Sequence, residues 1–147
     1  HHMSAPDPSG VGARTAMPQA LARAGLKPAD IDYLNLHGTA TEQNDVMEAR
    51  AVSDLFGADV PVSSTKSQTG HTLGAAGAVE AALLYLTLTD NPRGRLPPHW
   101  WDGIADPAMP PLHVAGADES LGRPVRHAVS NSFAFGGSNC VLVMGEG

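Results

Sequence analysis

Residues 64–77 read STKSQTGHTLGAAG, a stretch that sets a lysine and a histidine, Lys66 and His71, five positions apart among threonines and glycines. From there to residue 89 the only charged side chain is Glu80. A segment apolar on every face is the pattern of a buried helix, not an amphipathic surface one, so residues 73–89 are expected to form a buried helix. An ionised carboxylate inside such a helix costs several kcal/mol unless it is paired or hydrogen-bonded. Lys66, at the entrance to the same helix, is the nearest partner in sequence. The competing reading lets Glu80 reach solvent through a gap, but its helical neighbours are apolar all round. His71 falls at the start of this helix, where the dipole disfavours an imidazolium and favours a neutral, N–H-donating ring.

Working outward, IDYLNLH (31–37) is a short buried strand ending at His37, and VPVSS (60–64) is a second. Between them Thr39 and Glu42 make a capping-box signature, and Ala49, Val52, Leu55 and Phe56 supply one apolar helix face. Upstream, Ala13, Met17, Ala20, Leu21 and Ala24 recur at helical spacing, with Gly25 as the stop. Pro18 implies that this helix starts near Met17 or kinks. Residues 90–111 are dense in proline and read as a long covering loop, with Trp100 and Trp101 as apolar cover for the sheet. LHVAG (112–116), RHAVSNSF (126–133) and NCVLVMG (139–145) are β-like runs, the last two parted by AFGGS (134–138). Alternating helices and strands followed by closing strands give an α/β chain. His37 and His71 then share a position, each at a strand-to-helix turn, which is where open α/β sheets bind ligands.

The chain of 147 residues carries nine Lys and Arg against fifteen Asp and Glu, a net charge of −6. That balance excludes a nucleic-acid binder, which needs a concentrated positive field. One cysteine, Cys140, leaves no internal disulfide framework and no cysteine-rich metal site. It enters NCVLVMG, which reads as a buried central strand, so the thiol is expected to be inert. The stretch near residue 80 falls short of the ~20 apolar residues a bilayer span needs, and no secretory leader is visible, so a cytoplasmic protein with no membrane partner is expected. Residues 1–3, HHM, read as the remnant of an expression tag, and residues 4–147 as one domain. Gly70, Gly74 and Gly77 have the wrong spacing for a dinucleotide fingerprint, and no Walker or HExxH motif occurs. His99, His113 and His127 lack ligand spacing and are assigned to surface or core packing.

Three blocks carry a more specific signal: HGTATEQNDVMEA (37–49), SSTKSQTGHTLGAAGAVEA (63–81) and SNSFAFGGSNC (130–140). In this order and spacing they resemble the C-terminal signature blocks of the β-ketoacyl-acyl carrier protein synthases of the KAS I/II type, in the thiolase superfamily. The resemblance implies the C-terminal half of a thiolase-like fold, with a mixed sheet and a buried central helix. It implies decarboxylative Claisen condensation of a malonyl-carrier thioester with an acyl group held on a cysteine. His37 and His71 then correspond to the catalytic histidines that hydrogen-bond the malonyl thioester carbonyl, Lys66 to the family's lysine, and Glu80 to its buried partner. Thr39 and Thr41 match threonines that bind the pantetheine arm. Phe135 matches an aromatic gate, with the Gly136–Gly137 turn beside it. Asn35, Glu80, Ser130 and Asn131 fall where some members hold a monovalent cation; no other cofactor is implied.

Ala134 departs from the family's FGFGG and would alter the gate if that position needed positive φ. The nucleophilic cysteine has no counterpart here, so the chain is expected to be the C-terminal part of a longer enzyme and inactive alone. Its implied partners are an acyl carrier protein, the N-terminal half of the enzyme, and a second subunit in a homodimer or heterodimer. Competing readings are a non-catalytic partner akin to a chain-length factor, which commonly loses the residues retained here, and a carrier-binding module, for which Arg93 and Arg95 are the only close basic pair in the long loop. RLPPHWWDGIADPAMPP (95–111) resembles the insert of aryl-polyene-type ketosynthases, and primary fatty-acid synthesis fits the motifs equally.

Overall fold

A computed structural model describes residues 5–145; the tag-like residues 1–3 lie outside the described residues. Among the described residues nine α-helices and β-strands follow one another: α1 (Val11–Ala24), β1 (Tyr33–Asn35), α2 (Glu42–Phe56), β2 (Pro61–Ser63), α3 (Lys66–Thr69), α4 (Ala76–Leu88), β3 (His113–Val114), β4 (His127–Phe133) and β5 (Asn139–Gly145). The strands form one sheet in the order β3-β2-β1-β4-β5. The first four run parallel and β5 returns antiparallel to β4, which makes the sheet mixed. Every strand expected from the sequence is present.

Side chains alternate across the sheet and build two cores. On one face Leu34, Val62, Val129 and Phe133 pack with Met17 and Leu21 of α1 and Met47, Ala51 and Val52 of α2. On the other, Tyr33, Ala128 and Val125 pack with Leu84 of α4 and Leu96. α1 ends as expected at Gly25, whose left-handed backbone lets its N–H reach the carbonyls of Ala22 and Leu21.

The fold departs from the expected elements at several points. Of the two alternatives raised by Pro18, the start near Met17 is not realised: α1 begins at Val11 and contains Pro18. Pro18 is exposed, and burial of Ala13, Met17 and Leu21 on another face of the helix holds the segment helical against a cost of about 3 kcal/mol. The expected helix over 73–89 is divided: Leu73–Ala75 make a 3₁₀ turn, with Leu73 at φ 51°, and α4 starts at Ala76. α4 is not buried all round. Ala76, Glu80, Leu84 and Thr87 face the sheet, whereas Tyr85 and Leu86 are exposed, because the sheet covers only one side of the helix.

Trp100 and Trp101 do not cover the sheet; they are 59% and 47% exposed, and the inward contacts of their segment come from Leu96 to His99. Cys140 is exposed, not buried. The tight AFGGS turn folds β5 back outside β4, at the sheet edge, and α1 covers only its Val141 and Val143 side.

Candidate active site

Because β1, β2 and β4 run parallel, their C-terminal ends open on the same side of the sheet. β1 leads to His37, β2 to Lys66, and the loop after α3 to His71. Lys66 is buried and its Nζ makes three contacts: an ion pair with Glu80, a 2.6 Å bond to the His37 carbonyl, and a 3.5 Å approach to His37 Nδ1. The Lys66–Glu80 pairing expected from the sequence is therefore present. Burial pushes the Glu80 carboxyl upward, and the bond from Lys66 opposes that shift.

The imidazoles of His37 and His71 stand perpendicular with centroids 5.5 Å apart, and Phe133 meets His37 edge-on at 6.0 Å. An ammonium can only donate, so Lys66 makes His37 Nδ1 an acceptor and places the ring proton on Nε2. The Leu73 N–H does the same to His71 by donating to its Nδ1 at 3.2 Å. His71 thus owes its tautomer to the 3₁₀ turn after it, not to a helix start. Burial, then the charge of Lys66, lower the His37 pKa to about 4. Its ring is consequently a neutral N–H donor near neutral pH.

Sequence reasoning missed Glu48. Its side chain is 2% exposed on α2, and its two oxygens accept the backbone N–H groups of His37 and Gly38, both at 2.8 Å. Asn131 Nδ2 donates to the same carboxylate at 3.1 Å. Burial raises the Glu48 pKa, opposed by these three donors. A signal existed: Asn44, Met47, Glu48, Ala51 and Val52 share the buried stripe of α2, so Glu48 is a charge on an apolar face. Gly38 sits at φ 41°, and a Cβ there would stand 2.5 Å from Ser64 Cβ, so only glycine lets the β2 loop approach the His37 turn.

Both histidines line a cavity of about 650 Å³ shared with Thr39, Thr41, Phe133 and Phe135. The hydroxyls of Thr39 and Thr41 lie 2.9 Å apart on its wall. They do not cap α2: its first residue is Glu42, and Thr41 at the N-cap makes no side-chain cap bond, so the capping box is not formed. Phe135 is 71% exposed at the rim. Gly136 and Gly137 beside it have φ 74° and 85°, whereas Ala134 is extended at φ −112°, a conformation alanine adopts without strain.

Buried oxygens without hydrogen-bond partners include Asn35 Oδ1, Glu80 Oε2, Ser130 Oγ and Asn131 Oδ1. Asn35 and Ser130 are register partners on the sheet face that α4 covers. Asn131 turns its side chain to the other face, toward Glu48 and Met17, so on the α4 side it can offer only main-chain atoms. Among the described residues no cluster of three or more His, Cys, Asp and Glu could hold a metal ion. His113 and His127 are structural: His113 contacts Glu119 and the Asp59 carbonyl, and His127 the Asp30 carbonyl. His99 approaches the site through Ser64. No helix among the described residues is long and apolar enough to cross a membrane.

Residues 1–99 match the family model described as the β-ketoacyl synthase C-terminal domain. The chain is 40% identical to 3-oxoacyl-[acyl-carrier-protein] synthase 2 of Staphylococcus aureus over 97% of its own length and 35% of that protein. It is 38% identical to the synthase of the same name from Coxiella burnetii, over 98% of this chain and 34% of that one. Among solved structures, it superposes with a TM-score of 0.90 and 46% identity on a chain from the complex of a ketosynthase with its chain length factor from Xenorhabdus doucetiae, covering 99% of this chain and 36% of that one. A β-ketoacyl synthase from Burkholderia phymatum gives 0.86 and 37%, with 99% and 34% covered. The chain spans about a third of the length of these relatives.

Proposed function

Since the chain belongs to the β-ketoacyl synthase family, as its C-terminal domain, we propose that it supplies the histidine-bearing half of a condensing enzyme's active site. The reaction is a decarboxylative Claisen condensation. An acyl group waits as a thioester on a cysteine from a part of the protein outside this chain. Malonyl-carrier thioester enters the cavity with its carbonyl oxygen toward His37 and His71. As carbon dioxide leaves, the electrons of the broken C–C bond pass into the thioester as an enolate. Its carbon then attacks the acyl carbon and releases the cysteine thiolate.

The observation that carries this reading is the paired tautomer. With both Nδ1 atoms occupied by donors, two Nε2–H groups are left to meet one developing oxyanion. Donors fixed in advance stabilise charge that appears only in the transition state, and removing one typically costs about 10²–10³-fold in rate. Lys66 holds the His37 tautomer, Glu80 balances its charge, and Thr39 and Thr41 offer hydroxyls to the amides of a pantetheine arm. Phe135 and its glycine turn act as the gate. The acidic carrier protein, the rest of the enzyme and a second subunit are the proposed partners, and the cytoplasm the proposed compartment.

A monovalent cation fits the same design. Neutral amide and hydroxyl oxygens with a single carboxylate oxygen suit a weakly charged ion better than a divalent one, which draws several carboxylates. Asn35, Glu80 and Ser130 would hold it with side chains and Asn131 with its main chain, where it would add positive charge behind Lys66.

The test is substitution in the full-length protein. His37→Ala and His71→Ala should abolish decarboxylation and condensation while self-acylation continues. Condensation at the wild-type rate by either variant would remove the oxyanion role.

A further inference from the structure

The irregular segment after α4 returns across the ends of β2 and β3 and grips the loop that carries Lys66. Ser63 Oγ donates to the Pro97 carbonyl at 2.7 Å, Gln68 Nε2 reaches the Pro98 carbonyl at 3.4 Å, and His99 N–H bonds the Ala115 carbonyl at 2.9 Å. Between them the Ser64 N–H donates to His99 Nδ1 at 3.0 Å. Ser64 is buried, and a buried amide left without an acceptor is destabilising, so the acceptor at position 99 is structurally required.

Ser64 has a second contact. Its Oγ donates to the Gly38 carbonyl at 2.8 Å, at the residue after His37, and lies 3.4 Å from the Lys66 N–H. The two turns that hold the active lysine and the buried histidine therefore meet at Ser64. Because Nδ1 accepts, the His99 ring carries its proton on Nε2. Its surroundings support a neutral ring: burial lowers its pKa, Asp45 of α2 opposes that shift, and Trp101 meets the ring edge-on at 5.9 Å.

We propose that His99 is a positioning residue: by accepting the Ser64 N–H it fixes the Ser64–Gly38 contact and so the spacing of Lys66 from His37. It acts through Ser64 and does not touch substrate. The inference rests on the condensing-enzyme reading for its kinetic consequence, but not for its structural one.

Two substitutions in the full-length protein separate the possibilities. His99→Asn keeps an acceptor oxygen where Nδ1 stands, whereas His99→Leu cannot accept. Amide hydrogen exchange at Ser64 should quicken at least about tenfold in His99→Leu, through loss of the protecting bond, and return toward wild type in His99→Asn. The kcat for malonyl-thioester decarboxylation should fall about tenfold to a hundredfold in His99→Leu, since a misplacement of about 1 Å can cost about 100-fold, with KM unchanged and the Asn variant restored. Should the Leu variant fail to fold, His99→Gln, whose acceptor stands nearer Nε2, takes its place. Wild-type exchange and kcat in the Leu variant, or an Asn variant as impaired as Leu, would overturn the proposal. A wild-type protein that decarboxylates nothing would sink the condensing-enzyme reading, while Ser64 exchange would still decide the role of His99.

Discussion

His37 and His71 face one cavity from turns built in opposite ways. The His37 turn is buried and held from three directions: Glu48 takes its backbone N–H groups, Lys66 takes its carbonyl and ring, and Ser64 fixes Gly38. The His71 turn is exposed, and its ring is oriented by one backbone amide, that of Leu73. Both arrangements give the same tautomer, but one depends on buried charge and the other on a local turn. Equal proposed roles need not carry equal structural weight, and mutations should separate the two.

The largest effect is expected at the charge pair behind His37. Glu80→Ala strands the Lys66 ammonium, and breaking a buried pair typically costs about 3–5 kcal/mol. Thermal unfolding of the full-length protein would show it, and a melting temperature unchanged from wild type would mean that Glu80 is solvated. Glu48→Ala comes next: the buried His37 amide and Asn131 lose their acceptor while the half-buried Gly38 amide can turn to water, a loss of about 1–3 kcal/mol in all. Against these, His71→Ala should leave the melting temperature nearly unaltered while abolishing turnover; a loss of stability matching that of Glu48→Ala would erase the contrast between the turns.

Acid should expose the same difference. The folded-state pKa of His37, about 4, lies below its ordinary value of 6.5. The unfolded chain therefore binds a proton first as pH falls, so stability contributed by the neutral ring is present above 6.5 and lost progressively toward 4. Glu48 and Glu80 are shifted upward and oppose this trend, so the measurement is the difference between wild type and His37→Asn. The variant should lose less stability than wild type between pH 6.5 and 4. Identical slopes would place no buried neutral histidine at position 37. The smallest effect belongs to the sheet edge: Cys140→Ser should change stability by less than about 0.5 kcal/mol, as for other exposed positions, and a thiol reagent should label the native isolated chain.

The sequence was most legible where one physical demand dominated. Runs such as NCVLVMG, short, rich in valine and bounded by the AFGGS turn, favour strands, and the lone Glu80 in an apolar segment called for Lys66 at once. It was least legible where a residue answers to a distant partner. Glu48 sits among Glu42, Asp45 and Arg50, which look like a solvated helix face, and only the α2 stripe reveals it. His99 has its acceptor role because Ser64, 35 positions earlier, is folded beneath it. Cys140 and α4 failed for a related reason. An apolar pattern states what a segment prefers to bury, but the hairpin and the one-sided sheet decide how much is covered. Pro18 shows tertiary burial overriding a local rule.

The ring protons of the two histidines decide whether the site holds two donors. In the full-length protein near neutral pH, ¹⁵N chemical shifts and long-range couplings of the imidazole nitrogens distinguish protonated from unprotonated positions. The geometry predicts an unprotonated Nδ1 and a protonated Nε2 in both His37 and His71, with His37 losing that preference in Lys66→Ala and His71 keeping it. A protonated Nδ1 in wild-type His37 or His71 would contradict the paired-donor site.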